Sequence, residues 1–280
     1  MPTRFILAGL LLLLGMTQLG FVEQDYLRHA EALRERLPGP EFTVRIEPPF
    51  VVAGDGGAQA VEAHCRSIVR WAVERLKNDF FEKDPDRILT IWLFRDADSY
   101  RRNNLKLFGE EPFTPFGYFS DRHGALVMNI GTGGGTLVHE IVHPFMAANF
   151  PRCPAWFNEG MGSLYEQCGD RDGHIVGYTN WRLPVLQEAL RKRQAPRLAT
   201  VVATTDDQFY GENRPLNYAT ARYLCYYLQE RGKLVEFYHA FRKDCALDPT
   251  GRATLLRVLE EEELARLEPR WERFVMGLRF

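Results

Sequence analysis

Thr136-Leu-Val-His139-Glu140-Ile-Val-His143-Pro-Phe-Met-Ala-Ala-Asn149 is followed, after five residues, by Ala155-Trp-Phe-Asn-Glu159-Gly-Met-Gly-Ser-Leu-Tyr165-Glu166. The first stretch opens after the flexible run Gly131-Thr132-Gly133-Gly134-Gly135 and carries apolar residues at helical spacing, which predicts a helix starting near Thr136. Residues four apart lie on one helix face, so the imidazoles of His139 and His143 both reach a single metal ion. Glu140 sits beside them, placed to take a proton from a metal-activated water rather than to ligate. The second stretch predicts a helix over residues 156–167, with Glu159 in its first turns. The loop around Phe150 to Pro154 lets the two helices turn back on each other, bringing the Glu159 carboxylate to the histidine face. Two histidines alone do not make a catalytic zinc site, which wants three protein ligands and an open position.

Upstream of this core the pattern mixes helix and strand. Residues 25–37 predict a short amphipathic helix, 42–47 and 50–53 two strands, 58–81 a long helix, 88–94 a strong strand and 97–108 another helix. Two more strands, 117–120 and 125–130, flank the turn Asp121-Arg122-His123-Gly124. Downstream the pattern is almost wholly helical, with segments at 181–193, 216–231, 234–241, 254–261 and 264–274. The fold class is therefore α+β: a mixed β-sheet subdomain packed on the H-E-x-x-H helix (about residues 23–150), then a mostly helical subdomain (about 151–280), together one catalytic domain.

Before residue 23, Arg4 precedes an apolar run, and no charge occurs from Phe5 to Val22. A basic start followed by a short apolar core predicts that residues 1–22 are a signal peptide or a membrane anchor, and so an exported chain, periplasmic or extracellular. A net charge of −2, with 26% charged residues scattered along the chain, gives no reason to expect nucleic acid as a partner. Five cysteines without a C-x-x-C make a cysteine zinc site unsupported. Export permits one disulfide, and Cys153 and Cys168, which flank Glu159, are one pair that can be drawn; buried free thiols are the alternative.

His139-Glu-Ile-Val-His143 followed by Trp156-Phe-Asn-Glu159-Gly-Met-Gly-Ser-Leu-Tyr165-Glu166 resembles the gluzincin zinc metallopeptidases, both the aminopeptidase pattern (H-E-x-x-H, then W-x-N-E-G) and the small single-domain "peptidase MA-like" bacterial proteins. The resemblance implies zinc held by His139, His143 and Glu159, and hydrolysis of a peptide bond with Glu140 as catalytic base. It implies that the strand 125–130 is a sheet edge pairing with an extended peptide. It also implies a tyrosine that donates to the oxyanion, for which Tyr218 is the best match; the bland reading of Tyr218 is core, because Tyr223, Tyr226 and Tyr227 follow on the same predicted helix. Arg222, one turn later, suggests either a grip on a substrate carboxylate or a surface ion pair.

This sequence departs from the aminopeptidase pattern in three places. Only 15 residues separate His143 from Glu159, Pro144 directly follows the second histidine, and Val127-Met-Asn-Ile-Gly131 lacks the glutamate that in aminopeptidases binds a free amino terminus. The expected partner is thus a peptide or protein, without an assigned cleavage preference. The competing expectations are a non-catalytic peptide-binding module on the same fold and a zinc hydrolase of a non-peptide amide.

Overall fold

Leu89-Thr-Ile-Trp-Leu-Phe94 has bulky apolar residues at almost every position, the pattern of a strand covered on both faces. In the computed structural model, which describes residues 23–280, it is the central strand of a five-stranded sheet. The elements before it are a helix over residues 23–35 (α1), strands Thr43–Glu47 (β1) and Phe50–Gly54 (β2), a helix Ala58–His64 (α2), a π-helical stretch Cys65–Arg70 and a helix Trp71–Asp79 (α3). Leu89–Phe94 is β3; Ala97–Phe108 (α4), Gly117–Ser120 (β4) and Ala125–Asn129 (β5) follow. The expected leader, residues 1–22, lies outside the described residues. No described helix is long and apolar enough to cross a membrane.

The chain divides into two compact units. The first comprises the described residues up to Ser67 together with Arg87–Thr132, and holds the sheet in the order β1-β2-β3-β5-β4. β2, β3 and β5 run parallel, while β1 pairs antiparallel with β2 and β4 antiparallel with β5. The three parallel strands are buried along their whole length, as parallel strands normally are. One face is filled by Ala53, Trp92, Phe94 and Val127 against Ala30 and Leu33 of α1 and Tyr100 of α4. The sheet edges are β1 and β4. The strand 125–130, expected at an edge, is interior: Tyr118 and Phe119 of β4 register against Val127 and Leu126 and occupy the ladder that a peptide would have used.

The second unit comprises Ile68–Asp86 and Gly133–Phe280. Its elements are α3, Gly135–Asn149 (α5), Ala155–Leu164 (α6), the hairpin Cys168–Arg171 (β6) and His174–Gly177 (β7), Arg182–Arg191 (α7), Leu198–Val201 (α8), Asp206–Phe209 (α9), Arg214–Glu230 (α10), Leu234–Asp244 (α11), Arg252–Val258 (α12) and Leu264–Gly277 (α13). The division falls before α5, so the H-E-x-x-H helix groups with the C-terminal helices rather than with the sheet. Helices dominate this half as expected, with the unforeseen hairpin β6–β7 among them, and the single helix expected over 58–81 is interrupted by the π-helical stretch. No disulfide forms: all five cysteines are free.

An aromatic core surrounds the two motif helices. Phe81 stacks on Phe145 of α5, and Trp156 and Phe157 of α6 pack on Phe237 and Phe241 of α11. The Trp156 indole donates to the Thr250 carbonyl at 2.9 Å. Asn149 fixes the end of α5: its Oδ1 accepts from the amides of Glu82 and Lys83, and its Nδ2 donates to the carbonyls of Lys83 and Phe145.

Arg222 is neither a substrate clamp nor a surface ion pair. It is 0% exposed. It donates to the carbonyls of Ser163 (2.8 Å), Leu164 (3.3 Å) and Tyr178, closing the C-terminal end of α6 that a helix leaves unsatisfied. Arg222→Ala orphans these acceptors and opens a cavity, so it is expected to lower folding stability by about 3 kcal/mol or more, read from the midpoint of urea unfolding. A midpoint shift below about 1 kcal/mol would show that water replaces the guanidinium.

Candidate metal centre

α5 and α6 pack on each other and are joined by residues 150–154, and the site is built entirely within the second unit. Pro144 lies inside α5 and the helix continues through it to Asn149. His139, His143 and Glu159 converge, with ligand atoms all within 4.8 Å of one another. His139 Nε2 is 3.2 Å and His143 Nε2 3.7 Å from Glu159 Oε2. Two ligand atoms at ~2.1 Å from one tetrahedral ion stand about 3.4 Å apart, so these separations fit a shared ion. The donor set is two imidazoles and a carboxylate, ligand types that several divalent metals accept.

The strongest test of fit is an orphaned atom. Glu159 is 6% exposed and its Oε2 has no hydrogen-bond partner, whereas Oε1 accepts from the Tyr210 hydroxyl at 2.7 Å. A buried carboxylate oxygen without a partner is costly unless a cation satisfies it. The buried group of His139, His143 and Glu159 can therefore hold a metal ion.

The far side of each imidazole is also arranged. His143 Nδ1 donates to Asn158 Oδ1 at 3.0 Å, which leaves Nε2 as the free ligand atom. His139 Nδ1 faces Glu166 Oε1 at 3.4 Å, an ion-pair distance rather than a hydrogen bond. Of the polar residues Ser163, Tyr165 and Glu166 that follow Glu159, Glu166 alone faces a ligand imidazole. The Ser163 Oγ and Tyr165 OH atoms are buried without a hydrogen bond.

Glu166 is in turn gripped by a bidentate pair from Arg182, at 3.0 and 2.7 Å, and by Asn180 Nδ2 at 3.0 Å. This accounts for Asn180 and Arg182, whose role is not readable from the sequence. Glu166→Gln keeps the shape and removes the charge. It is expected to weaken metal affinity by about 10- to 100-fold, measured by competition with a chromophoric chelator.

The electrostatics favour positive charge at this point. Burial alone would lower the pKa of His139, but its contacts with Glu159 and Glu166, and the charge of Glu140, raise it well above the ordinary histidine value. Burial would raise Glu159, yet the two histidines and the Tyr210 hydrogen bond hold it well below the carboxylate range. Glu166 is depressed for the same reason, against its burial, by His139 and Arg182.

Close approach explains two glycines. A Cβ on Gly162 would stand 3.1 Å from the His139 ring, and one on Gly135 would overlap the Glu166 carbonyl oxygen. Glu140 is half-buried on α5, next to the ligand His139.

Tyr218 does lie at the site. It is buried on α10, where Glu159 and Arg214 act electrostatically on its hydroxyl. Its ring is 6.3 Å from that of Tyr210, and the guanidinium groups of Arg182 and Arg214 stand over it at 5.2 and 5.5 Å. Burial first, and Glu159 second, raise the pKa of both tyrosines, so each hydroxyl keeps its proton at neutral pH.

Tyr210 was not legible in the sequence. It caps the one-turn helix α9, which is held by a Thr205 capping box and by Asn217 Nδ2 donating to the Phe209 carbonyl at 2.9 Å. The capping box was the available signal, but it marks a helix start and says nothing about the tyrosine five residues later. No protein-family model matches the chain and no curated protein matches it.

Proposed function

We propose that the chain is an exported zinc-dependent metallopeptidase of the gluzincin type. The observation that carries this reading is the unpartnered, buried Glu159 Oε2 facing two imidazole Nε2 atoms, with Glu140 adjacent to the first of them. A zinc ion, when bound, supplies Lewis acidity toward a carbonyl and lowers the pKa of a water toward ~7. The remaining work falls to the chain. Glu140 accepts the proton of the attacking water and delivers it to the leaving amine. Tyr210 is committed to Glu159 Oε1, which leaves Tyr218 to donate to the oxygen that becomes negative as the carbonyl is attacked. Glu166, Asn158 and Arg182 keep the imidazoles in the ligating orientation. The absence of the amino-terminus-binding glutamate from Val127-Met-Asn-Ile-Gly131 favours internal cleavage over aminopeptidase action.

The test is to incubate the zinc-loaded full chain with an unfolded protein and a mixed peptide library, and to look for new termini by mass spectrometry. Cleavage that a chelator stops and zinc restores supports the proposal. Stoichiometric zinc without cleavage of any peptide would leave a binding module or a hydrolase of another amide.

A further inference from the structure

The sheet unit contains a cavity of about 360 Å³ with no part in the chemistry above. We propose that it binds a phosphate group. Its wall includes His29 of α1 and Arg36 just after it, Arg87 and Thr90 around the start of β3, and Arg122 and His123 of the β4–β5 turn. Among the described residues, no Asp or Glu lines it. His29 lies on α1 and Arg36 in the turn directly after it, and both line the cavity, whereas Glu31 and Glu35 do not.

The positive charge is only partly compensated. Arg87 donates to the Asp121 carbonyl and carboxylate, both at 2.7 Å. Arg122 stands 3.7 Å from Glu110 with both side chains largely in solvent, a pairing that contributes little. Arg36 forms no salt bridge with a described residue. Two guanidinium groups therefore remain available, and their planar forks match phosphate oxygens. At the base, His29 Nε2 and the Thr90 hydroxyl are hydrogen-bonded at 2.8 Å, which adds a polar floor. Burial and the Arg36 charge both lower the pKa of His29, in keeping with a positive potential in the cavity.

The shared chemistry is a phosphate carried either by a small solute or by a lipid headgroup. The second source arises because α1 directly follows the uncharged run from Phe5 to Val22. The full chain is compared with the double variant Arg36→Ala/Arg122→Ala; both residues are exposed and neither belongs to the metal centre. Inorganic phosphate is titrated calorimetrically at constant ionic strength, and the double variant is expected to bind on the order of ten-fold more weakly or worse.

In parallel, sedimentation compares vesicles of phosphatidylcholine with vesicles containing one-third phosphatidylglycerol. Arginine-dependent phosphate binding without an arginine-dependent preference for the anionic vesicles assigns a soluble phosphate. An arginine-dependent preference for the anionic vesicles assigns the headgroup. If the folded double variant, with an unchanged melting temperature, matches the wild type in both measurements, the proposal is overturned.

Discussion

Glu140→Gln is expected to leave the metal in place and to lower kcat by on the order of 10²- to 10⁴-fold. Glutamine keeps the volume and a carbonyl oxygen but cannot take up a proton at neutral pH, so the attacking water loses its base. The position supports such a clean separation: Glu140 stands beside His139 on α5, while the ligand atoms come from His139, His143 and Glu159. Its charge also contributes to the field at His139, so a small loss of metal affinity accompanies the loss of turnover. The measurement pairs kcat with metal content on the same preparation. Should metal fall in proportion to activity, Glu140 acts on the ion and not on the proton.

Glu159→Ala removes the third ligand and is expected to weaken zinc binding by at least about 10²-fold, more than the loss of an outer partner such as Glu166. The effect should appear in stability as well as in affinity. A ligand that binds only the folded state at 100 times its Kd stabilises it by about 2.7 kcal/mol, so zinc should raise the melting temperature of the wild type and leave that of the variant almost unchanged. Without zinc the two should lie closer together, because the alanine also removes a buried carboxylate oxygen that lacks a protein partner. Equal zinc-induced shifts in both proteins would place the ion elsewhere.

The heart of the site was legible because its signal is local. His139, Glu140 and His143 are fixed by helical spacing alone, and a five-residue loop leaves Glu159 little choice but to face them. What surrounds them was not legible, because it comes from afar. Tyr210 arrives from a one-turn helix, and the Asn180–Arg182 pair arrives from beyond the β6–β7 hairpin. No periodicity connects these residues to α5.

Tyr218 followed from resemblance only. Arg222 was misread because an arginine on a helix is ordinarily solvated, and burying it requires three backbone carbonyls that only the folded chain brings together.

At the level of fold, the buried strands announced themselves by continuous apolar runs. β6 did not: Cys168-Gly-Asp-Arg171 carries no alternating apolar face, and the Asp172-Gly173 turn was the sole hint of a hairpin. The β-character of residues 125–129 was plain, but their neighbours were not. Whether a strand is interior or at an edge depends on which partner the chain folds alongside it, and here β4 does so.

The most direct test of the account is X-ray absorption at the zinc edge on the zinc-loaded wild-type chain, with metal content measured on the same sample. One zinc per chain, with two imidazoles and further oxygen ligands at ~2.0–2.2 Å, is the expected result. Substoichiometric zinc in the folded protein, or sulfur in the ligand shell, would contradict it.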